Sequence, residues 1–290
     1  MTLPKPVLQR LLILLCLWLA APAWAIPAMW QVGNGRSQVT IYGTIHALPK
    51  GTDWFTPRAR TAFTKADTLV VEMVAPEQPG AMADVVQQIG MLPAPVPIRD
   101  RLPEEQRARY DAMVKASNLP LAGLDGMKSW LAAISLVQIE MLTAGIDPAA
   151  GVDVTLISRA RAAKKQLVGL ETPRGQLELF NSLPEAEQRL LLASAISDSG
   201  EGGKQMQALV AAWLAGDVAR ILKDFDDASL SPELEARLFT NRNKAWADWV
   251  QAALKRPGRR FMAVGAAHMA GPHGLIALLK ARGLRVKRVE

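Results

Sequence analysis

The chain has 290 residues, half of them apolar and 21 % charged, with a formal charge of +7. That balance excludes a disordered polyelectrolyte and leaves enough apolar residues for one large core or two small ones. One cysteine and three histidines leave few groups that can ligate a metal or attack a substrate.

Lys5 and Arg10 precede the apolar run Leu11–Ala21, followed by Pro22 and the small-residue pattern Ala23-Trp24-Ala25. A basic start, a short apolar stretch and A-x-A read as a secretory signal cleaved after Ala25. The mature chain is then expected to be periplasmic or secreted. The alternative is an uncleaved inner-membrane anchor, which is then the only contact with the membrane. Cys16 lies inside this segment, and Leu15 stands where a lipoprotein signal wants a small residue. The mature chain therefore has no thiol and no disulfide, and stability rests on its core. Losing Lys5 and Arg10 lowers the formal charge to +5. Basic residues are scattered except in LKRPGRR and the tail LKARGLRVKRVE, which read as solvated surface rather than a nucleic-acid site.

Downstream, Val39–Ile45 predicts a strand ending at His46. Thr56–Ala66 predicts a helix with Thr56 as cap and Pro57 in its first turn. TLVVEMV (68–74) predicts a buried strand, and Pro-rich LPAPVP (92–97) a connection. Helical spacing runs from Pro103 to about Ala163, with breaks near Pro120 and at GIDPAAGVD (145–153). Gln166–Leu170 predicts a third strand, and helices follow from about Arg174 to Leu254. Phe261–Ala266 is a fourth strand, Gly274–Arg282 a helix and Arg285–Val289 a last strand. The expectation is one α/β domain over 26–290, with a mostly parallel mixed sheet built from the chain ends. A large helical insertion would occupy about 103–254.

A polar residue stands at the carboxyl end of four strands: His46, Glu72, Glu171 and His268. Ligands of open α/β sheets bind beyond those ends. Both histidines sit in a G-x-x-H segment, Gly43-Thr44-Ile45-His46 and Gly265-Ala266-Ala267-His268. Glycine there permits close approach of a backbone or a ligand. Two imidazoles and a carboxylate form a common divalent-metal set, so His46, Glu72 and His268 are the candidate ligands. Without cysteine, Mn²⁺ and Co²⁺ are as acceptable as Zn²⁺.

A carboxylate within Val70-Val71-Glu72-Met73-Val74 is costly unless paired. Glu171 is either a catalytic carboxylate or the cap of the helix after Pro173. Asp153 is a supporting residue or a helix N-cap. Arg242 either stacks on Trp246 or forks onto a site carboxylate. His273, in GPHG, is a support residue, an exposed loop residue or a helix cap.

IYGTIHALP, LVVEM, GVDVTLISRARAAKKQLVGLETPRGQLELF, LFTNRNKAWADWV and FMAVGAAHMAGPHGLIALLKARGLRVKRV together resemble the TraB/PrgY/GumN family. That family includes the TIKI metalloproteases and is distantly similar to the haem-binding ChaN proteins and the erythromycin esterases. The resemblance covers nearly the whole mature chain. It implies a metal-dependent hydrolase, most simply a peptidase acting on a peptide or small-molecule substrate. His46 and His268 would match the motif histidines, Glu72 the acid after the second strand, and Arg242 the arginine of the R-N segment. Ala267 stands where the second motif often carries glycine. The competing expectations are a non-catalytic binding protein for peptide, haem or metal, and a structural envelope protein.

Overall fold

A computed structural model describes residues 25–290 except 34, 77, 79, 117–120, 198–201 and 227–230. The expected signal peptide lies outside the described residues up to its last position, Ala25. Eight strands run in order β1 (Met29–Gly33), β2 (Ser37–Thr44), β3 (Leu48–Pro49), β4 (Thr68–Met73), β5 (Ile146–Asp147), β6 (Gln166–Glu171), β7 (Gly258–Gly265) and β8 (Val286–Arg288). Six form one sheet in the order β6-β4-β7-β2-β1-β8, and β3 pairs with β5. The four strands β6, β4, β7 and β2 are mutually parallel, while β1 is antiparallel to both β2 and β8. The sheet is therefore α/β and mixed, with a parallel core.

Helix α1 (Pro57–Lys65) connects β3 to β4, and α2 (Ala81–Gly90), α3 (Ile98–Arg101), α4 (Glu104–Ala116) and α5 (Ser129–Thr143) follow β4. Helix α6 (Val152–Ala162) leads into β6. Helices α7 (Pro173–Asn181), α8 (Glu185–Ser197), α9 (Gly202–Leu214), α10 (Val218–Asp226), α11 (Pro232–Glu235) and α12 (Asn241–Ala253) lie between β6 and β7. Helix α13 (Leu275–Ala281) precedes β8. A π-helical turn, Ala236–Thr240, joins α11 to α12.

Alternation along the central strands builds both faces. Tyr42, Leu69, Val71, Phe261 and Ala263 pack with Phe63 of α1, Leu156 of α6 and Trp213 of α9. Val39, Ile41, Val70, Met262 and Val264 pack with Trp246 and Val250 of α12 and Leu275 and Leu279 of α13. Each such side chain contributes about 1.5–3 kcal/mol by leaving water. A further cluster of Ile98, Tyr110, Leu136 and Leu192 knits α3, α4, α5 and α8 into a helical lobe of its own.

The expected order lacks β1, the short β3–β5 pair, α2 and α3. MWQVG, short and glycine-ended, forms β1 because β2 pairs with all five of its residues and β8 with three on the other side. AMADVVQQIG forms α2 without a side-chain cap. Its Ile89 packs with the fully buried Trp130.

Phe261 is fully buried, with ring centroids 5.6 Å from both Tyr42 and Phe63. Phe261→Ala leaves a cavity in the middle of the parallel core. Urea denaturation is expected to show a loss of about 3–5 kcal/mol.

Candidate active site at the carboxyl ends of the parallel strands

Parallel pairing brings four polar strand ends to one edge. Glu72 is the last residue but one of β4 and Glu171 the last of β6. Thr44 of β2 is in register with Gly265 of β7, and each leads directly into its histidine.

Arg242, in the first turn of α12, occupies the centre. Its Nε donates to Glu171 Oε1 at 2.7 Å, and its Nη2 to Glu171 Oε2 at 3.1 Å and Glu72 Oε2 at 2.6 Å. Its Nη1 donates to the Leu238 carbonyl at 3.0 Å and lies 3.1 Å from His268 Nε2. The guanidinium also stacks over Trp246, 4.7 Å from the ring centroid. Trp246 Nε1 in turn donates to Glu171 Oε1 at 3.2 Å. Both alternatives for Arg242, stacking and pairing, are thus realised together. Glu171 caps no helix: Thr172 does, accepting from the Gly175 amide.

Glu72 is only 7 % exposed. Its Oε1 accepts from the Gly265 amide at 2.7 Å, and its Oε2 from Arg242 and from Gln176 Nε2 at 3.2 Å. His268, 5 % exposed, lies against Trp246 and Phe239. Its Nδ1 is 2.7 Å from Asn243 Oδ1. An amide oxygen only accepts, so Nδ1 carries the proton and Nε2 is the lone pair that receives Arg242.

His46 differs in exposure. It stands at the mouth, 63 % of its side chain open, with Nδ1 3.3 Å from Asp153 Oδ1. Asp153 lies in the first turn of α6 and is not its cap; the cap position is Gly151. The segment Gly151-Val152-Asp153 grips the histidine loop at each residue. A Cβ on Gly151 would stand 2.3 Å from the His46 carbonyl oxygen, the Val152 amide donates to the Ile45 carbonyl at 3.0 Å, and Asp153 meets the imidazole.

The two motif glycines differ. A Cβ on Gly265 would meet Glu72 Oε1 at 3.2 Å, His268 Cδ2 at 3.4 Å and His46 Nε2 at 3.8 Å. The space above Gly265 is therefore the point where the three side chains converge. A Cβ on Gly43 would instead meet Ala266 at 3.1 Å, so Gly43 admits a neighbouring strand end rather than a ligand. Its carbonyl is held by Trp213 Nε1 at 2.8 Å.

The structure thus brings together His46, Glu72, Asp153, Glu171, Arg242, Gly265 and His268. His273 stays outside: its side chain is exposed, only its carbonyl is used, by Asn243 Nδ2 at 2.9 Å, and Gly274 takes the cap position of α13. Sequence reasoning missed Asn243, Gln176 and Thr44. Asn243 is adjacent to Arg242, and that adjacency was the available signal. Thr44 is 2 % exposed, and its hydroxyl has no hydrogen-bond partner among the described residues.

Charges are strongly coupled across the cluster. Lost hydration on the inner side of His46 disfavours its protonation, but the hydrogen bond to Asp153 and the charge of Glu72 outweigh it and raise the imidazole to about 9. Water at the open face screens both attractions. Burial drives His268 down to about 3, with Arg242 and His46 adding to the fall against the pull of Glu72. Burial would raise Glu72, yet the charges of His268, His46 and Arg242 and the Gly265 amide hold it near 2. His268 is neutral above its own low value, so near neutral pH Arg242 and His46 keep Glu72 ionised.

The fold and these residues define an α/β protein with a split His/Glu/Arg centre at its strand ends. A match to the TraB/PrgY/gumN family spans residues 28–288, and the chain belongs to that family. Among curated relatives, "Uncharacterized protein YbaP" of Escherichia coli (strain K12) is 24 % identical over 258 residues, 88 % of this chain and 92 % of the relative. The protein of the same name from Shigella flexneri is 24 % identical over 252 residues, 86 % of this chain and 89 % of its own. No solved structure gives a significant match.

Asp153→Asn removes the main attraction for the His46 proton. NMR titration is expected to show the imidazole falling from about 9 towards its ordinary 6.5. A raised histidine stabilises the fold fully below its unfolded value and loses that contribution as pH climbs through the folded one. The stability gap between wild type and Asp153→Asn should therefore be largest below about pH 6.5 and close above about pH 9.

Proposed function

We propose that this protein is an exported hydrolase, most simply a peptidase, that works with a divalent metal bound by His46, Glu72 and His268. One observation carries the reading: the two motif histidines are each held through Nδ1, by Asp153 and by Asn243, at a shared site with Glu72. Ligating histidines are oriented in this way by a partner on the other ring nitrogen. The donor types suit Mn²⁺, Co²⁺ or Zn²⁺.

The donors fit the ion by chemistry, with one condition on their arrangement. Among the described residues no three His, Cys, Asp or Glu side chains stand ready as a ligand group. Arg242 donates to both Glu72 and His268 Nε2, and so occupies two of the three candidate ligands. Binding requires Arg242 Nη1 to leave His268, while its bonds to Glu171 keep the guanidinium nearby. The ion would supply a bound water of near-neutral pKa. In this reading Glu171 positions Arg242, and Arg242 faces the negative charge that develops on a substrate carbonyl oxygen. The His46–Asp153 pair at the open mouth offers the route by which a proton leaves. We also propose that the fold is of the ChaN and erythromycin esterase kind, on the strength of the parallel core and the strand-end site. Export rests on the amino-terminal sequence; no described helix is long and apolar enough to cross a membrane.

The near-complete burial of Glu72 and His268 favours a second reading, a protein that sequesters a peptide, haem or metal without turnover. Incubation of purified protein with a peptide library and Mn²⁺, Co²⁺ or Zn²⁺, read by mass spectrometry, separates the two. The hydrolase reading expects metal-dependent cleavage that falls by about 10²–10³ in His46→Ala and Arg242→Ala. Tight ligand retention with no cleavage in any metal would support sequestration instead.

A pH test follows from His46. It is protonated below about 9 and must lose that proton to ligate. Metal affinity is therefore expected to rise from pH 6 to pH 9, and calorimetry in buffers of different ionisation enthalpy should show proton release on binding. Affinity independent of pH across that range would remove His46 from the ligand set.

A further inference from the structure

The opposite end of the sheet carries a feature that the strand-end chemistry does not use. A groove of about 480 Å³ runs between α1 and the starts of the central strands. Its α1 wall is the stripe Arg58, Thr61, Ala62 and Lys65, spaced to share one helical face. Its floor is polar: Gln38 and Thr40 of β2, with Gln31 of β1 paired to Thr40. Elsewhere that sheet face carries Tyr42 and Phe261, so the apolar alternation stops here. Arg259 and Arg260 close the far end, with Arg259 in register with Gln38.

Among the described residues no Asp or Glu lines the groove. Arg58 donates to the Val289 carbonyl, and Arg260 folds onto the carbonyls of Arg256, Pro257 and Gly258. These partners are neutral; of the groove cations, Arg58 also feels the carboxylate charge of Glu290. Two carboxylates stand beside the groove outside its lining: Asp67 accepts from the Arg259 amide, and Glu290 accepts from the Thr56 hydroxyl. Cations at a rim and amide and hydroxyl donors on a floor are what an oxyanion with several acceptor oxygens requires. The volume exceeds a single such group, and the positive walls lie at both ends.

We propose that this groove is a binding site for a ligand bearing two or more phosphate groups, held by Arg58, Lys65 and Arg259. The run LKRPGRR, which as sequence looks like solvated surface, supplies one of its walls. The site is separate from the strand-end cluster and does not depend on hydrolase activity.

The probe is inorganic tripolyphosphate, titrated into the full mature protein by calorimetry. Saturable binding is expected to weaken by about tenfold in Arg58→Gln/Lys65→Gln, because two charged contacts are lost. Lys115→Gln/Lys280→Gln removes the same charge outside the groove and is expected to change affinity by less than about twofold. Lys65→Glu alone, which breaks no contact of the fold described above, should weaken binding at unchanged thermal stability; this guards against unfolding through loss of the Arg58–Val289 bond. Sedimentation with vesicles containing cardiolipin, whose headgroup carries two phosphates, tells a lipid headgroup from a soluble phosphate: groove-dependent pelleting assigns the ligand to a membrane surface, and its absence to a free polyphosphate. No saturable binding of either probe, or equal weakening by the groove and control pairs, would overturn the proposal.

Discussion

One guanidinium ties the functional end of the molecule together. Arg242 spans two carboxylates from two parallel strands, one carbonyl of the preceding π-helical turn and one imidazole. Glu72 and Glu171 end neighbouring strands and would repel each other in a site with little water. A charged fork between them turns that repulsion into a clamp. Without it, a carboxylate 7 % exposed would keep only the Gly265 amide, Gln176 and the more distant His46, and a buried ion short of its partner costs several kcal/mol. Arginine is suited to this position because its planar fork reaches both acids while remaining charged.

The clamp also sets the character of both histidines. His268 is packed between Phe239 and Trp246 beside a permanent cation, so it stays neutral with its lone pair directed at Arg242. His46 lies beyond the clamp, next to Asp153 and open to water, and is driven the other way. Two copies of one short motif thus acquire opposite protonation behaviour. The difference arises from their neighbours, since each histidine ends a parallel strand of the same sheet. Gly151 belongs to the same construction, because only a residue without a side chain lets α6 start against the His46 carbonyl.

Most of the site was legible because strand ends are readable. TLVVEM and FMAVG are β-branched or apolar runs that stop at a polar group, and parallel pairing places such groups at one edge. The unfavourable position of Glu72 among valines also marked it. What left roles open was local context. Asp153 and Glu171 each sit beside a helix start, where capping is the ordinary role of a carboxylate, yet Gly151 and Thr172 hold those positions. Gly43 and Gly265 look equivalent in their motifs, but a side chain on one would meet Ala266 and on the other the site itself. Asn243 and Gln176 carry no pattern of their own, and their use depends on which helix face turns to the sheet.

The sequence by itself determined the class of the fold, the strands whose ends carry the polar cluster, and the short list of groups that form it. Those follow from local physics: side-chain alternation, capping residues and the cost of a charge among apolar neighbours. Only the tertiary structure decided how those groups are joined. The pairing of Arg242 with two acids, the burial of one histidine and exposure of the other, and the positive groove at the far end of the sheet all arise between residues far apart in the chain. Through-space electrostatics and close packing set them, and neither leaves a periodic trace in the sequence.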